Sequence, residues 1–427
     1  MAFINRIGSF ILGVTPISQP TGVWEQIIMA FHAGIVNYGW AIIIFTLVLK
    51  IIMSPLDFFN RRVSEKNTRL QKIMQPEIAK IQKQYGNNRQ MINQKTMEIY
   101  KKHNYNLTSS CLTMVLNLGL TLFIFITLFG GLNSMASYKV GYQYQQMEIT
   151  YNQVAYGEEG VETDFEKYLA KYEEVYNYEL QALLEEGQTP EDATEDQKEL
   201  ASEAASIAAE AFVGEGKTLE SILAEIDAAV LETYNEVKES WLWVRNVWRP
   251  DTPWKKAIPN FDEFVSMAGI SYKDSLGEGE SETFKIRLSS NKSEDRVTYE
   301  NIMLAIESEN GPNGYLIIPI LAVALTILSM LATQGKLKFM KKKTDEKVED
   351  KTVPNPMSGW FMFVLLGGLM GYITIIYNSI FALYILTSSL FGFATAPLIS
   401  LLIRKSNTWQ ENRKSKKVEV NVPYKRK

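Results

Sequence analysis

Lys50 stands inside a long apolar run, AIIIFTLVLKIIMSPLDFFN from Ala41 to Asn60. If that run crosses a bilayer, a cation at this depth costs about 2.5–3.5 kcal/mol unless it faces water, a partner or a polar cavity. Thr46, Lys50, Ser54 and Asp57 are spaced four, four and three residues apart, which puts them on one face of a helix. The rest of that helix is Ile, Leu, Val and Phe. Two kinds of chemistry suit such a face. The ammonium can snorkel along its alkyl stem to the headgroups, with Pro55 and Asn60-Arg61-Arg62 close by. Alternatively, it can sit in a wet cavity and draw acidic groups toward it.

Composition removes other chemistries. The 427 residues include one cysteine, Cys111, and two histidines, His32 and His103. A lone cysteine makes no internal disulfide and no thiolate cluster. Two histidines far apart in sequence leave little for a His-based catalytic or metal site. No cofactor and no metal are therefore expected.

The elements that must position Lys50 follow from alternating apolar and charged stretches, at roughly 20 apolar residues per crossing. An interfacial amphipathic segment is expected over 1–31 and a first span over 32–57. Residues 58–110 read as a basic helical hairpin. Its helices, about 63–84 and 89–102, turn at Gly86-Asn87-Asn88, and residues 61–103 hold eleven Lys/Arg against three Glu. A second span follows over 111–132. The outer region, 133–314, carries 37 Asp/Glu against 15 Lys/Arg. Within it, 195–240 has helical spacing, 282–300 reads as a strand pair, and 241–250 (WLWVRNVWRP) reads as an aromatic belt at a membrane surface or as domain core. Further spans are expected over 315–333, 358–377 and 380–403. A basic loop at 334–357 separates the first two of these, a tight turn at Asn378-Ser379 the last two, and a basic tail, 404–427, ends the chain.

Charge sets the topology. The hairpin, the 334–357 loop and the tail are basic, so they belong inside, and the acidic 133–314 region belongs outside. That places the N-terminus outside and the C-terminus in the cytoplasm, with five spans. The fold class is thus all-α and polytopic: five helices with a cytoplasmic helical hairpin and a large acidic insertion, mostly α with some β. On this topology Lys50 and Ser54, Thr113 and Asn117, and Ser329 and Thr333 lie toward the inner leaflet, with Tyr384, Thr387 and Ser388 nearer the middle; Thr326 is a further candidate groove residue. Polar groups at that depth need partners or a cavity. Five helices turning them inward would form a groove open to the cytoplasm, whereas a pore needs polar residues through its full thickness. Taken singly, each Ser or Thr can instead bond its own helix four residues back.

Specific segments resemble the YidC-type membrane protein insertases. They are TLVLKIIMSPLDFFNRR, LQKIMQPEIAKIQKQYGNNRQMINQKTMEIYKKHNYN and CLTMVLNLGLTLFIF, then WLWVRNVWRPDTPW, IIPILAVALTIL and FALYILTSSLF. The resemblance covers about 30–135, 240–258 and 314–405. It implies a bacterial plasma-membrane protein whose five-helix bundle holds a cytoplasm-facing hydrophilic groove. It also implies nascent membrane proteins as clients, handled alone or with the Sec translocon, and contact with the ribosome and the lipid bilayer. The groove cation of that family, usually arginine, falls on Lys50. Thr113, Asn117 and Gly119 replace the usual prolines and glutamine, Asn378 and Ile380 replace a Pro-Gly turn, and Ile385 replaces a tryptophan. The outer region is longer than the family's loop. A second function class, an ion- or proton-coupled transporter using Lys50 as a relay, would need another buried charge and an inverted repeat; neither is evident.

Overall fold

The computed structural model describes residues 19–103, 105, 107–157, 161–185, 187–214, 216–269, 292–333 and 360–420. Two compact units emerge. One is built around Asn133–Tyr315, the other from Gly22–Leu132 with Leu316–Lys427.

The second unit holds the apolar helices. Helix α1 (Val23–Gly34) ends where the chain extends at Ile35, and α2 (Tyr38–Tyr85) begins behind Asn37, whose side chain accepts from the Gly39 amide at 2.9 Å. The apolar run expected as one span over 32–57 is thus divided between two helices. α2 continues for 48 residues, with Pro55 and Pro76 inside it, until Gly86 adopts φ 52° and ends it. Asn88 then caps α3 (Arg89–Lys102) by accepting from Met91 N. α2 and α3 close on Met74, Ile99 and Tyr105, and Glu77 accepts from Lys102 and bonds His103, both at 3.1 Å. His32 stacks on Tyr38 at 3.6 Å, so both histidines sit in structural contacts.

Helix α4 (Leu107–Tyr156) contributes residues to both units. In the second, its Phe125 and Phe129 pack edge-on against Phe381, and Trp24 Nε1 of α1 donates to Thr127 Oγ1 at 3.0 Å. Three apolar helices complete this unit: α10 (Ile317–Thr333), α11 (Trp360–Ile376) and α12 (Ser379–Val420). Glycines bring them close. A Cβ at Gly371 would lie 3.1 Å from Val323 Cγ2, and one at Gly392 would lie 2.7 Å from Ser329 Oγ. The turn into α12 is held by Asn378, whose Oδ1 accepts from Phe381 N. Among the described residues three helices are long and apolar enough to cross a membrane, in Tyr38–Tyr85, Gly119–Tyr156 and Ser379–Ser406. Two shorter apolar helices lie at Ile317–Thr333 and Gly367–Ile376.

The first unit is helical too. Helices α5 (Asp164–Leu183), α6 (Glu195–Val213), α7 (Leu219–Val237), α8 (Phe261–Ala268) and α9 (Lys292–Leu304) join the later part of α4. Ala201, Ala205 and Ala209, one per turn, are fully buried and let α6 approach α5, where Tyr172 Oη meets Ser202 Oγ at 2.9 Å. Tyr144, Phe264 and Tyr299 stack at 4.6–5.5 Å to form the core.

Two expectations are corrected here. No strand occurs among the described residues, only isolated bridges at Trp241–Val244 and Lys256–Pro312. Of the expected strand pair, residues from Lys292 on form α9, because Asp295, Tyr299, Ile302 and Ile306 bury at helical spacing; 282–291 lie outside the described residues. The 241–250 belt is mostly core, with Trp241, Val244, Val247, Trp248 and Arg249 buried and Leu242 exposed. Asn313 closes this region. Its Oδ1 accepts from Asn246 N (2.8 Å) and its Nδ2 donates to Asn246 O (2.9 Å) and Pro250 O (2.8 Å). Asp251 Oδ1 accepts from Tyr315 N at 2.7 Å. Residues 245–257 and 309–315 are therefore clasped, and the chain between them leaves and returns at one place.

Candidate functional site: a charge-balanced polar cavity

A cavity of about 340 Å³ opens within the second unit. α2 lines it with Leu49, Lys50, Met53 and Asp57, which recur at helical spacing on one face. α4 adds Thr121, Ile124 and Phe125; α10 adds Thr326 and Met330; α11 adds Met370. α12 contributes Tyr384, Ile385, Ser388 and Ser389. Thr326 Oγ1 donates to the Ala322 carbonyl at 2.7 Å and lies 2.8 Å from Ser389 Oγ, which ties α10 to α12 beside the space. Half of these residues are apolar, five carry hydroxyls and two are charged, and the three methionines adapt to irregular shapes.

Among the described residues, Lys50 and Asp57 are the only charged ones lining the cavity. The Asp57 carboxylate acts electrostatically on Lys50 and also on Arg61, one turn further along α2. Arg61 Nη1 is buried with no hydrogen-bond partner. Among the described residues no three His, Cys, Asp or Glu side chains gather to hold a metal ion.

Of the residues singled out in the sequence, Lys50, Thr326, Tyr384 and Ser388 line this cavity. Thr46 does not. It is fully buried and its hydroxyl donates to the Ile42 carbonyl of its own helix at 2.6 Å. Ser329 faces Gly392 at the α10–α12 contact, and Ser54 is half-buried on α2 outside the lining. Thr113 and Asn117 lie on α4, but their side chains fall outside the described residues. Sequence reasoning had Asp57 on the polar face without treating it as part of the site. It missed Ser389 and the methionines Met53, Met330 and Met370. The signal for Asp57 was its place seven residues, two turns, after Lys50; the methionines gave none.

The family profile described as "60Kd inner membrane protein" matches residues 30–156. A "Membrane protein insertase YidC" from Fusobacterium nucleatum is 40% identical over 98 residues, which are 23% of this chain and 44% of that protein. Proteins of the same name from Clostridium perfringens and Leptospira interrogans are each 35% identical. They match over 124 residues (27% of this chain, 50% of theirs) and 123 residues (28% and 18%) respectively. Over residues 30–156 this chain is similar to the YidC proteins. The YidC segment contains the whole of α2, α3 and α4 and therefore Lys50, Asp57 and Thr121. The chain spans half or less of the length of these YidC relatives. The apolar helices and this similarity together indicate a multi-pass bacterial membrane protein. No solved structure matches it.

Proposed function

We propose that this chain is a membrane protein insertase, and that its polar cavity receives segments of nascent membrane proteins before they move sideways into lipid. The observation that carries this reading is Lys50 set among hydroxyls and methionines from five helices, within their apolar stretches. The relatives bear the name of that activity. A cation in surroundings less polar than water attracts a client's acidic residue more strongly than one in bulk solvent. A polar cavity also shortens the apolar distance that a client's outward-bound polar segment must cross. The client's own apolar helix then leaves for lipid because burial of apolar surface favours it. In this reading the bundle has five spans, the N-terminus outside and the C-terminus in the cytoplasm. The α2–α3 hairpin meets the client first, the basic tail attracts ribosomal RNA or anionic lipid in a salt-dependent way, and the Sec translocon is an optional partner.

Site-specific photocrosslinking tests this. A probe replaces Lys50, or the exposed Ile44 of the same helix (41% accessible), and is offered ribosome-bound chains of a small single-span client. Client adducts at 50 and none at 44 are expected. Equal labelling at both positions, or lipid adducts alone, would refute a client-receiving cavity.

A further inference from the structure

We propose that Asp57 is the cavity's built-in counter-ion and sets which client charges it accepts. This rests on the insertase reading and goes beyond it, because Lys50 alone would make the cavity a simple trap for acidic segments. The geometry is different. Asp57 shares the lining with Lys50 and is the sole carboxylate there. Its charge reaches Lys50 on one side and Arg61 on the other. Two turns of helix separate Lys50 from Asp57, about 10 Å along the axis. The pair is too far apart along the helix to act as a tight ion pair, yet close enough for each charge to lower the field the other projects.

The empty cavity is thus nearly neutral as a whole and dipolar in detail. An incoming carboxylate gains from Lys50 but is opposed by Asp57. An incoming ammonium or guanidinium finds Asp57 but is opposed by Lys50. A segment carrying both signs, or uncharged polar groups, meets neither penalty. Asp57 therefore widens the range of tolerated segments at the expense of attraction for strongly acidic ones. Removing its charge should convert the site into a selective acceptor of acidic segments. It should also deprive the Arg61 guanidinium, buried in part, of the Asp57 charge one turn away.

The test uses the full chain in proteoliposomes and one single-span client made in three forms, with Asp-Asp, Asn-Asn or Lys-Lys in its translocated segment. Protease protection reads insertion. Each yield is divided by that of the Asn-Asn client, so that loss of folded protein cancels. For Asp57→Asn, the Asp-Asp to Lys-Lys ratio is expected to rise about tenfold over wild type. Asp57→Ser should do the same, and Asp57→Glu, which keeps the charge, should leave the ratio near wild type. Lys50→Gln should move the ratio the opposite way. If Asp57→Asn and Asp57→Ser leave the ratio unchanged while Lys50→Gln lowers it, the counter-ion proposal is overturned and the cavity reading survives. If Lys50→Gln also leaves every ratio unchanged, the cavity reading falls and takes the proposal with it.

Discussion

Asn313→Ala offers a direct measure of how the outer region is closed. Asn313 is fully buried, and its side chain makes three hydrogen bonds, to the amide and carbonyl of Asn246 and to the carbonyl of Pro250. Alanine keeps the backbone bonds of residue 313, from Asn313 N to Lys255 O and from Arg245 N to Asn313 O, so only the side-chain part is removed. Asn246 is itself only 4% exposed, so water cannot easily replace the lost partners. At roughly 1 kcal/mol net for each bond, the clasp should lose about 3 kcal/mol. That corresponds to a hydrogen-exchange rate about a hundredfold faster wherever opening of the clasp limits exchange. Mass-spectrometric exchange on the full chain in lipid nanodiscs can resolve peptides covering 241–257 and 309–315. Helices α5 and α6 act as an internal reference. An acceleration under about threefold in the clasp peptides would refute the reasoning, as would equal acceleration in α5 and α6, which would mean that the whole unit had loosened.

Other outcomes follow from contacts of the same kind. Glu263 bonds Lys255 and, at 2.6 Å, the buried Arg249. Partial burial raises the Glu263 carboxyl, but its bonds from Lys255 and Arg249 outweigh that and hold it below the usual carboxylate range. The folded value lies below the unfolded one, so this contribution is fully present above roughly pH 4.3 and is lost as pH falls through the folded value. Exchange in α8, corrected for its intrinsic rate, should therefore accelerate in the wild type as the pH falls below about 4.3. Glu263→Gln should be fast throughout and nearly flat; a wild-type profile that is also flat would contradict the assignment. In the second unit, Gly392→Leu should force α10 from α12, cost about 1–3 kcal/mol of overpacking and so lower the thermal midpoint of the solubilised protein. Gly392→Ala should be milder, and adding Ser329→Ala should rescue it, because the Ser329 hydroxyl is what a Cβ at 392 would meet. If the second substitution gives no rescue, that contact does not govern the packing.

Much of the second unit was readable from residue types. The Gly86-Asn87-Asn88 turn follows from one residue that tolerates positive φ and another that caps. Lys50 declared itself by being a cation in an apolar run, and the hydroxyls of Thr326, Tyr384 and Ser388 by their depth. Depth alone does not give helix rotation, however. Thr46 lies one turn from Lys50 yet satisfies its hydroxyl on its own helix, and Ser329 lies three residues from Thr326 yet fills the α10–α12 contact. Periodicity misled at 292–300, where alternation in a short charged stretch masked the four-residue spacing of the buried side chains. Composition suggested that Trp241 and Trp248 meet lipid, because tryptophan suits both a membrane interface and a core. The clasp itself had no local signature: Asn246 and Asn313 are 67 residues apart.

Helix α2 carries Lys50 on the cavity wall and, without interruption, runs on to the hairpin turn at Gly86. Pro55 lies between them, within the stretch of α2 that lines the cavity, and has no N–H to give the Ile51 carbonyl, so the backbone is weakened at the cavity wall. Thirty residues separate Pro55 from Tyr85, about 45 Å of continuous helix in which Pro76 is the one further proline. A bend of only about 5° at Pro55 swings the hairpin end through roughly 4 Å. The helix is thus a lever arm with its pivot beside the binding space. A large, easily caught displacement at the exposed tip arrives at Lys50 as a small, forceful rotation, and a shift imposed at Lys50 is broadcast to the tip magnified.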